Sequence, residues 1–122
     1  MTKILIVDDE SSFCAAISEY LSMRFPDFRI FQALNSAQAF EIIDQEKPDI
    51  LILDLNLNEK LTGFDVQKKA LQVIPTVKSL VVTGNVDEDV EKMAGELGIK
   101  QVLAKPVSLS TLITLVKELA GI

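Results

Sequence analysis

The sequence predicts an α/β fold in which a parallel β-sheet is covered by helices on both faces. Short aliphatic runs alternate with longer segments whose apolar residues recur at helical spacing, a pattern typical of this class. The run Asp49–Asp54 contains four consecutive branched aliphatic residues, as expected of a strand buried on both faces. Pro48 before it and Asn56 after it favour breaks in regular structure. This run is therefore predicted to be the central strand.

The first two strand–helix units are predicted from the N-terminal part of the chain. Lys3–Val7 is an aliphatic run that ends in acidic residues, which predicts a buried strand and a turn. Ser11–Arg24 has apolar residues at helical spacing and is closed by Pro26. Phe28–Ala33 is the second predicted strand, and Ser36–Glu46 is the second helix, with its first residue as the N-cap. The side chains expected to face inward from these two helices are Phe13, Ala16, Ile17, Tyr20, Leu21, Ala39, Phe40 and Ile43.

The remaining units follow the central strand. The polar loop Leu55–Thr62 leads into a third helix that is opened by Gly63 and stops near Pro75, and Ser79–Thr83 is the fourth strand. The last elements are a helix capped by Asp87 and ended by Gly98, a strand over Gln101–Ala104 and a helix capped by Ser108. The apolar stripe of the fourth helix is thin and consists of Val90, Met93, Ala94 and Leu97.

Five predicted strands thus alternate with five predicted helices, without a linker or sequence repeat between them. Right-handed crossovers convert this alternation into a single doubly wound sheet. We expect the flavodoxin-like (βα)5 strand order 2-1-3-4-5, although the alternation is compatible with other doubly wound orders. A chain of 122 residues has the size of one domain, so residues 1–122 are predicted to form a single domain. The opening Met1-Thr2-Lys3 is typical of a natural start, so any further portion is expected on the C-terminal side.

Composition excludes several classes of function. The net charge of −6 argues against direct binding of nucleic acid. No apolar run is long enough for a membrane helix or a secretory signal. A lone cysteine, Cys14, cannot form an internal disulfide and fits a reducing cytoplasm. The absence of histidine removes the commonest general base and the usual zinc ligand, so phosphohistidine chemistry would require another protein.

Polar side chains stand at the carboxyl ends of four predicted strands. Asp8 and Asp9 follow the first strand, Asp54 the third and Lys105 the fifth, while Thr83 ends the fourth. Parallel strands end at one edge of the sheet, where ligands bind in open α/β folds, so these residues are expected to converge. Each also has an ordinary structural role, as a helix-start acid, a strand threonine or a surface lysine. Their joint occurrence favours a shared pocket.

Three carboxylates in this pocket would repel each other, by about 4 kcal/mol for a pair ~4 Å apart near a protein surface. A divalent cation relieves the repulsion, and oxygen ligands without cysteine or histidine point to Mg²⁺. Lys105 adds positive charge, and Thr83 adds a hydroxyl donor. Together with the carboxylate of Asp54 as nucleophile, these are the parts needed to accept a phosphoryl group as an aspartyl phosphate.

This set of motifs, completed by Gly84 after the threonine and Pro106 after the lysine, resembles the receiver domain of two-component response regulators. The resemblance covers essentially all of residues 2–120. It implies a cytoplasmic signalling phosphoacceptor that catalyses only its own phosphorylation and dephosphorylation. It further implies a histidine kinase or histidine phosphotransfer protein as the donor, and a conformational switch that controls a downstream effector domain or protein. Homodimerisation through the fourth helix, fifth strand and fifth helix is a habit of the family.

The resemblance also implies a role for each residue of the motif set. Asp54 would be the phosphoacceptor, Thr83 and Lys105 would bind the phosphoryl oxygens, and the Lys105–Pro106 peptide bond would be cis. The implied ligands of Mg²⁺ are Asp8, Asp9, Asp54 and the backbone carbonyl group of Asn56.

The sequence departs from the family pattern at several positions. Receivers commonly have proline where Asn58 stands, and Gly63 lies one place later than usual, so the loop after the third strand is expected to be longer by one residue. Val102 replaces an aromatic residue or histidine whose rotamer reports the phosphorylated state, and Val107 replaces a frequent phenylalanine. Readout through an aromatic switch is therefore not expected.

Two other functions stay open on the sequence. A receiver-like interaction module that does not use phosphorylation is compatible with Val102 and would bind its partners regardless of Asp54. A phosphohydrolase of the haloacid-dehalogenase type also has a nucleophilic aspartate after an aliphatic strand. That class requires a second aspartate where Asn56 stands, and usually a cap domain. Catalytic turnover would distinguish it from both binding functions.

Overall fold

Strands and helices alternate strictly in the computed structural model, which describes residues 1–122. The strands are β1 Lys3–Val7, β2 Arg29–Ala33, β3 Ile50–Leu53, β4 Lys78–Thr83 and β5 Gln101–Ala104. The helices are α1 Ser11–Arg24, α2 Ser36–Glu46, α3 Gly63–Val73, α4 Glu88–Glu96 and α5 Leu109–Ala120. None of these helices combines the length and the apolar character needed to cross a bilayer.

The five strands form one parallel sheet in the order β2-β1-β3-β4-β5. This confirms the predicted flavodoxin-like topology and places β3 at the centre. All four residues of β3 are buried, as its unbroken aliphatic sequence predicts. Val7 lies beside Leu53 in the register of β1 and β3, so the residues that follow the two strands leave the sheet side by side.

Alternate residues of the strands feed two separate cores, because successive side chains point to opposite faces of a sheet. On one face, Leu5, Leu51 and Val81 pack with buried residues of α2, α3 and α4. On the other face, the neighbouring strand residues pack with α1 and α5. Cys14 lies in this second core and is fully buried, as expected for a structural cysteine.

Small differences from the expected elements lie at helix and strand ends. Asn35, not Ser36, is the N-cap of α2, because its side chain accepts a hydrogen bond from the backbone N–H of Gln38. Ser36 is the first helical residue and is buried. Ala16, expected to face inward from α1, is exposed. In the same turn of the helix, the buried side chain is that of Ile17.

Helix α4 is held to the rest of the fold mainly at its C-terminal end. Ala94 is its only buried residue, and Met93 is 39% exposed, which confirms the thin apolar stripe. Gln67 of α3 is fully buried; its side chain donates to the carbonyl oxygen of Leu97 (3.0 Å) and accepts from the Ser79 hydroxyl group (2.5 Å). Gly98 follows with a positive φ of 72°, as expected at the end of a helix.

Candidate functional site

The carboxyl ends of the strands place the predicted site residues along one edge of the sheet. The ladder of backbone hydrogen bonds runs one residue past the strands: Asp8 N–H donates to Ala33, Asp54 N–H to Val7, and Lys105 N–H to Thr83. These bonds fix the backbone at Asp8, Asp54 and Lys105, so the three side chains leave the sheet at the same edge. The Lys105–Pro106 peptide bond is cis, as the family resemblance implies.

The three predicted carboxylates converge. Ligand atoms of Asp8, Asp9 and Asp54 all lie within 4.8 Å of one another. Asp8 and Asp54 are 1% and 7% exposed, so two of the three charges are largely withdrawn from water. Above them lies an open hollow of about 390 Å³ whose lining is Asp9, Glu10, Asp54, Asn56, Asn58, Thr83, Gly84, Asn85 and Lys105. All five side chains of the predicted pocket are therefore at this edge.

Lys105 is the cation that compensates the carboxylates. Its Nζ donates to Asp8 Oδ2 at 2.7 Å, to Asp54 Oδ2 at 3.1 Å and to Glu10 Oε1 at 3.3 Å. The same ammonium group lies 4.4 Å from the centre of the Phe13 ring, within the range of a cation–π contact. Four partners therefore hold the ammonium group between β1 and β3.

Burial and pairing act in opposite directions on the ionisable groups here. Burial raises the pKa of Asp8 above its ordinary value of 3.8, and the hydrogen bond from Lys105 opposes that rise. Burial lowers the pKa of Lys105, but the hydrogen bonds to Asp8 and Asp54 outweigh it and leave that pKa raised. Burial and the nearby negative charge of Asp8 raise the pKa of the Cys14 thiol to about 11. Lys105 is consequently a fixed positive charge, and Cys14 is a protonated structural thiol.

Asp54 is positioned by a tight approach between its own backbone and the start of α3. Asn56 N–H donates to Asp54 Oδ1 at 3.2 Å, so the carboxylate is held from both sides, by this amide and by Lys105. Thr62 caps α3 reciprocally with Asp65, which fixes where the helix begins. A Cβ atom on Gly63 would lie only 2.2 Å from the carbonyl oxygen of Asp54. Only glycine fits at this position.

Replacement of Gly63 by alanine is expected to lower the free energy of unfolding by about 2 kcal/mol, because the atom it meets belongs to the backbone and cannot rotate away. Urea unfolding measures the change. Gly95→Ala is the matched control: Gly95 lies in α4 with open space around its Cβ position. That substitution should stabilise the protein by up to about 1 kcal/mol, because alanine favours a helix. Equal stability of Gly63→Ala and wild type would contradict the close approach.

Sequence reasoning did not assign a role at the site to Glu10 or Asn58. The sequence indicates only an acidic turn at Glu10, yet the Glu10 side chain is the third carboxylate partner of Lys105. At Asn58 the sequence indicates only a departure from the family pattern, yet the side-chain amide group donates to Asp9 Oδ2. The backbone φ of Asn58 is 54°, a left-handed conformation that asparagine adopts more readily than most other non-glycine residues.

The donor set fits a hard divalent cation. The converging ligand atoms are carboxylate oxygens, and neither the cluster nor the lining of the hollow contains sulfur or imidazole ligands. Mg²⁺ prefers such oxygens and keeps waters that phosphate oxygens can replace. Because one lysine faces three carboxylates in Asp8, Asp54 and Glu10, the local charge is still negative once the lysine is paired. That negative charge would favour a cation at the mouth of the hollow.

Residues 4–117 match the family described as "Response regulator receiver domain". Sporulation initiation phosphotransferase F of Bacillus subtilis is 28% identical over 95% of this chain and 91% of its own length. The alkaline phosphatase synthesis transcriptional regulatory protein PhoP of the same organism is 35% identical over 87% of this chain, which spans only 43% of that regulator. A crystal structure of a two-component response regulator from Clostridium difficile superposes with a TM-score of 0.90 at 26% identity, covering 99% of this chain and 97% of that one.

Proposed function

This chain belongs to the response regulator receiver domains of two-component systems, and from that membership we propose that Asp54 accepts a phosphoryl group from a phosphohistidine on a partner protein. The observation that carries the assignment is the position of Asp54: its carboxylate is in the acidic cluster, hydrogen-bonded to Lys105 and open to the hollow. Asp8 is more deeply buried and is absent from the lining of the hollow. Asp9 accepts no hydrogen bond from Lys105, which leaves Asp54 as the acceptor.

The residues around Asp54 account for the transfer. A carboxylate oxygen of Asp54 attacks phosphorus in line; the new P–O bond forms as the P–N bond breaks, and the partner's imidazole nitrogen keeps the electron pair of that bond. Lys105 and Thr83, which both line the hollow, would bind oxygens of the transferred group. Mg²⁺, held by Asp8, Asp9, Asp54 and the backbone carbonyl group of Asn56, would supply positive charge that offsets repulsion between the phosphoryl group and the carboxylates.

The energy available suffices for a conformational switch only between states that are close in energy. A new charge-assisted hydrogen bond from Thr83 contributes about 1.5–3 kcal/mol, whereas Lys105 already donates to Asp54 and would exchange that bond for one to the phosphoryl group. Reversal of a population from 1:99 to 99:1 requires about 5.5 kcal/mol. The two states must therefore begin close in energy. A weakly buried helix such as α4 is the kind of element that changes position at low cost.

The proposed role is that of a signalling phosphoacceptor comprising residues 1–122 as one domain. It catalyses only its own phosphorylation and dephosphorylation, in the cytoplasm, with a histidine kinase or histidine phosphotransfer protein as donor. Two of the relatives support both ends of this pathway: one is named a phosphotransferase, and the other is named a transcriptional regulatory protein. The downstream partner is an effector domain or protein, and the face formed by α4, β5 and α5 is the candidate surface for a homodimer.

Incubation with Mg²⁺ and acetyl phosphate, followed by intact-mass measurement and mapping of the modified residue, tests the proposal. We expect the addition of a single phosphoryl group at Asp54, and no addition when EDTA removes the cation. An unchanged mass in the presence of Mg²⁺, or modification at a serine or threonine instead, would contradict the proposed function.

A further inference from the structure

The loop between β3 and α3 carries a polar side chain onto one of the clustered carboxylates. Asn58 donates its side-chain amide to Asp9 Oδ2, and both residues line the hollow. The amide is oriented correctly only as a donor here, because its carbonyl oxygen would repel the carboxylate. An oxygen of Asp9 is therefore engaged by a side chain of the protein itself.

The loop is built so that Asn58 stays in this place. Its backbone N–H donates to Asn56 Oδ1 at 3.0 Å, and its positive φ of 54° turns the side chain back toward the hollow. On one side of it Leu57 is buried, with 4% exposure. On the other side Glu59 Oε1 accepts a hydrogen bond of 2.7 Å from Ser36 N–H at the start of α2. The loop is thus anchored next to Asn58 on both sides, and the contact with Asp9 follows from the fold of the loop.

We propose that Asn58 is a positioning residue that competes with the divalent cation for Asp9 and so lowers the affinity of the site. The inference rests on the proposed function, in which Asp9 is a magnesium ligand. An amide hydrogen and a cation are drawn to the same lone pairs, and the amide's partial positive charge lowers the negative potential that Asp9 offers to the cation. The cation affinity of this chain is then set in part by a residue that is not itself a ligand.

Asn58→Gly tests this effect, because glycine adopts a positive φ without strain and lacks the side-chain amide. Leu61→Ala is the matched control, since Leu61 is a neutral residue of the same loop and is not part of the lining of the hollow. Isothermal titration of MgCl₂ into each metal-free protein, at constant pH and ionic strength, gives the dissociation constants. We expect Asn58→Gly to bind Mg²⁺ about three- to tenfold more tightly, the range for an exposed charge-assisted hydrogen bond. Leu61→Ala should match the wild type.

A second measurement separates competition from a general effect on the loop. The NMR signals of the Asn58 side-chain amide should move toward the positions of a solvated asparagine as Mg²⁺ is added to the wild type. Unchanged Mg²⁺ affinity in Asn58→Gly would overturn the inference. So would weaker binding, which would mean that the amide turns round and offers its carbonyl oxygen to the cation. If the wild type itself shows no saturable binding of Mg²⁺, the proposed magnesium site fails, and the inference fails with it.

Discussion

Replacement of Asp54 by asparagine is expected to abolish phosphorylation by acetyl phosphate while leaving the fold intact. The amide keeps the size of the carboxylate and one of the two oxygens that accept hydrogen bonds from Lys105 and the Asn56 N–H, but it is not a nucleophile for an acyl phosphate. Intact-mass measurement after incubation with Mg²⁺ and acetyl phosphate gives the result directly. Circular dichroism should show unchanged secondary structure.

Asp49→Asn provides the matched control, because Asp49 and Asp54 flank the same strand at opposite ends. Asp49 accepts a hydrogen bond of 2.9 Å from the backbone N–H of Lys3, far from the hollow. That variant should be phosphorylated like the wild type. Phosphorylation of Asp54→Asn to the wild-type extent would show that another carboxylate, such as Asp9, is the acceptor.

Replacement of Lys105 by methionine is expected to lower the free energy of unfolding by about 3 kcal/mol at neutral pH. Methionine preserves most of the side-chain length but leaves the buried carboxylates of Asp8 and Asp54 without their cation. Removal of one partner from a buried pair costs about 3–5 kcal/mol, and Lys105 is partly accessible, which places the loss near the lower end. Urea unfolding of metal-free protein measures it, and Lys60→Met at an exposed loop position should change little.

The pH dependence of the Lys105→Met variant identifies the origin of the loss. Burial already holds the pKa of Asp8 above 3.8, and loss of the lysine removes the hydrogen bond that opposes this rise. Between the raised pKa of folded Asp8 and 3.8, the folded state binds more protons than the unfolded state, so stability increases as the pH falls. The difference in the free energy of unfolding between the wild type and the variant should therefore decrease as the pH is lowered through this range. A deficit that does not depend on pH would assign the loss to packing against Phe13 instead.

The order of elements, the strand order and the buried central strand follow from the sequence because they depend on hydrophobic periodicity and on the handedness of crossovers. Two predictions, the N-cap of α2 and the inward direction of Ala16, were wrong because local contacts decide both. Asn35 caps α2 in place of the neighbouring serine because it precedes the first helical residue and can reach Gln38. Ala16 turned outward because an alanine buries little surface, so its direction is set by the larger Ile17 beside it.

Convergence of the motif residues could also be predicted, since it requires only that parallel strands end at one edge. The contacts among them could not. That Lys105 bridges Asp8 and Asp54, or that Glu10 joins them, depends on rotamers of long side chains. The approach of Asn58 to Asp9 depends on the path of an irregular loop, for which the sequence has no periodic signal.

The side chain of Gln67 donates a hydrogen bond to the carbonyl oxygen of Leu97 at the C-terminal end of α4. The N-terminal end of this helix follows the Thr83–Asn85 segment at the rim of the hollow. Rotation of the helix about this attachment would displace the first turn, around Glu88, most and the last turn least. A protein docked on this helix would then sense a change in its tilt, and loss of the Gln67 hydrogen bond would remove the attachment without touching Asp54, the proposed phosphoacceptor.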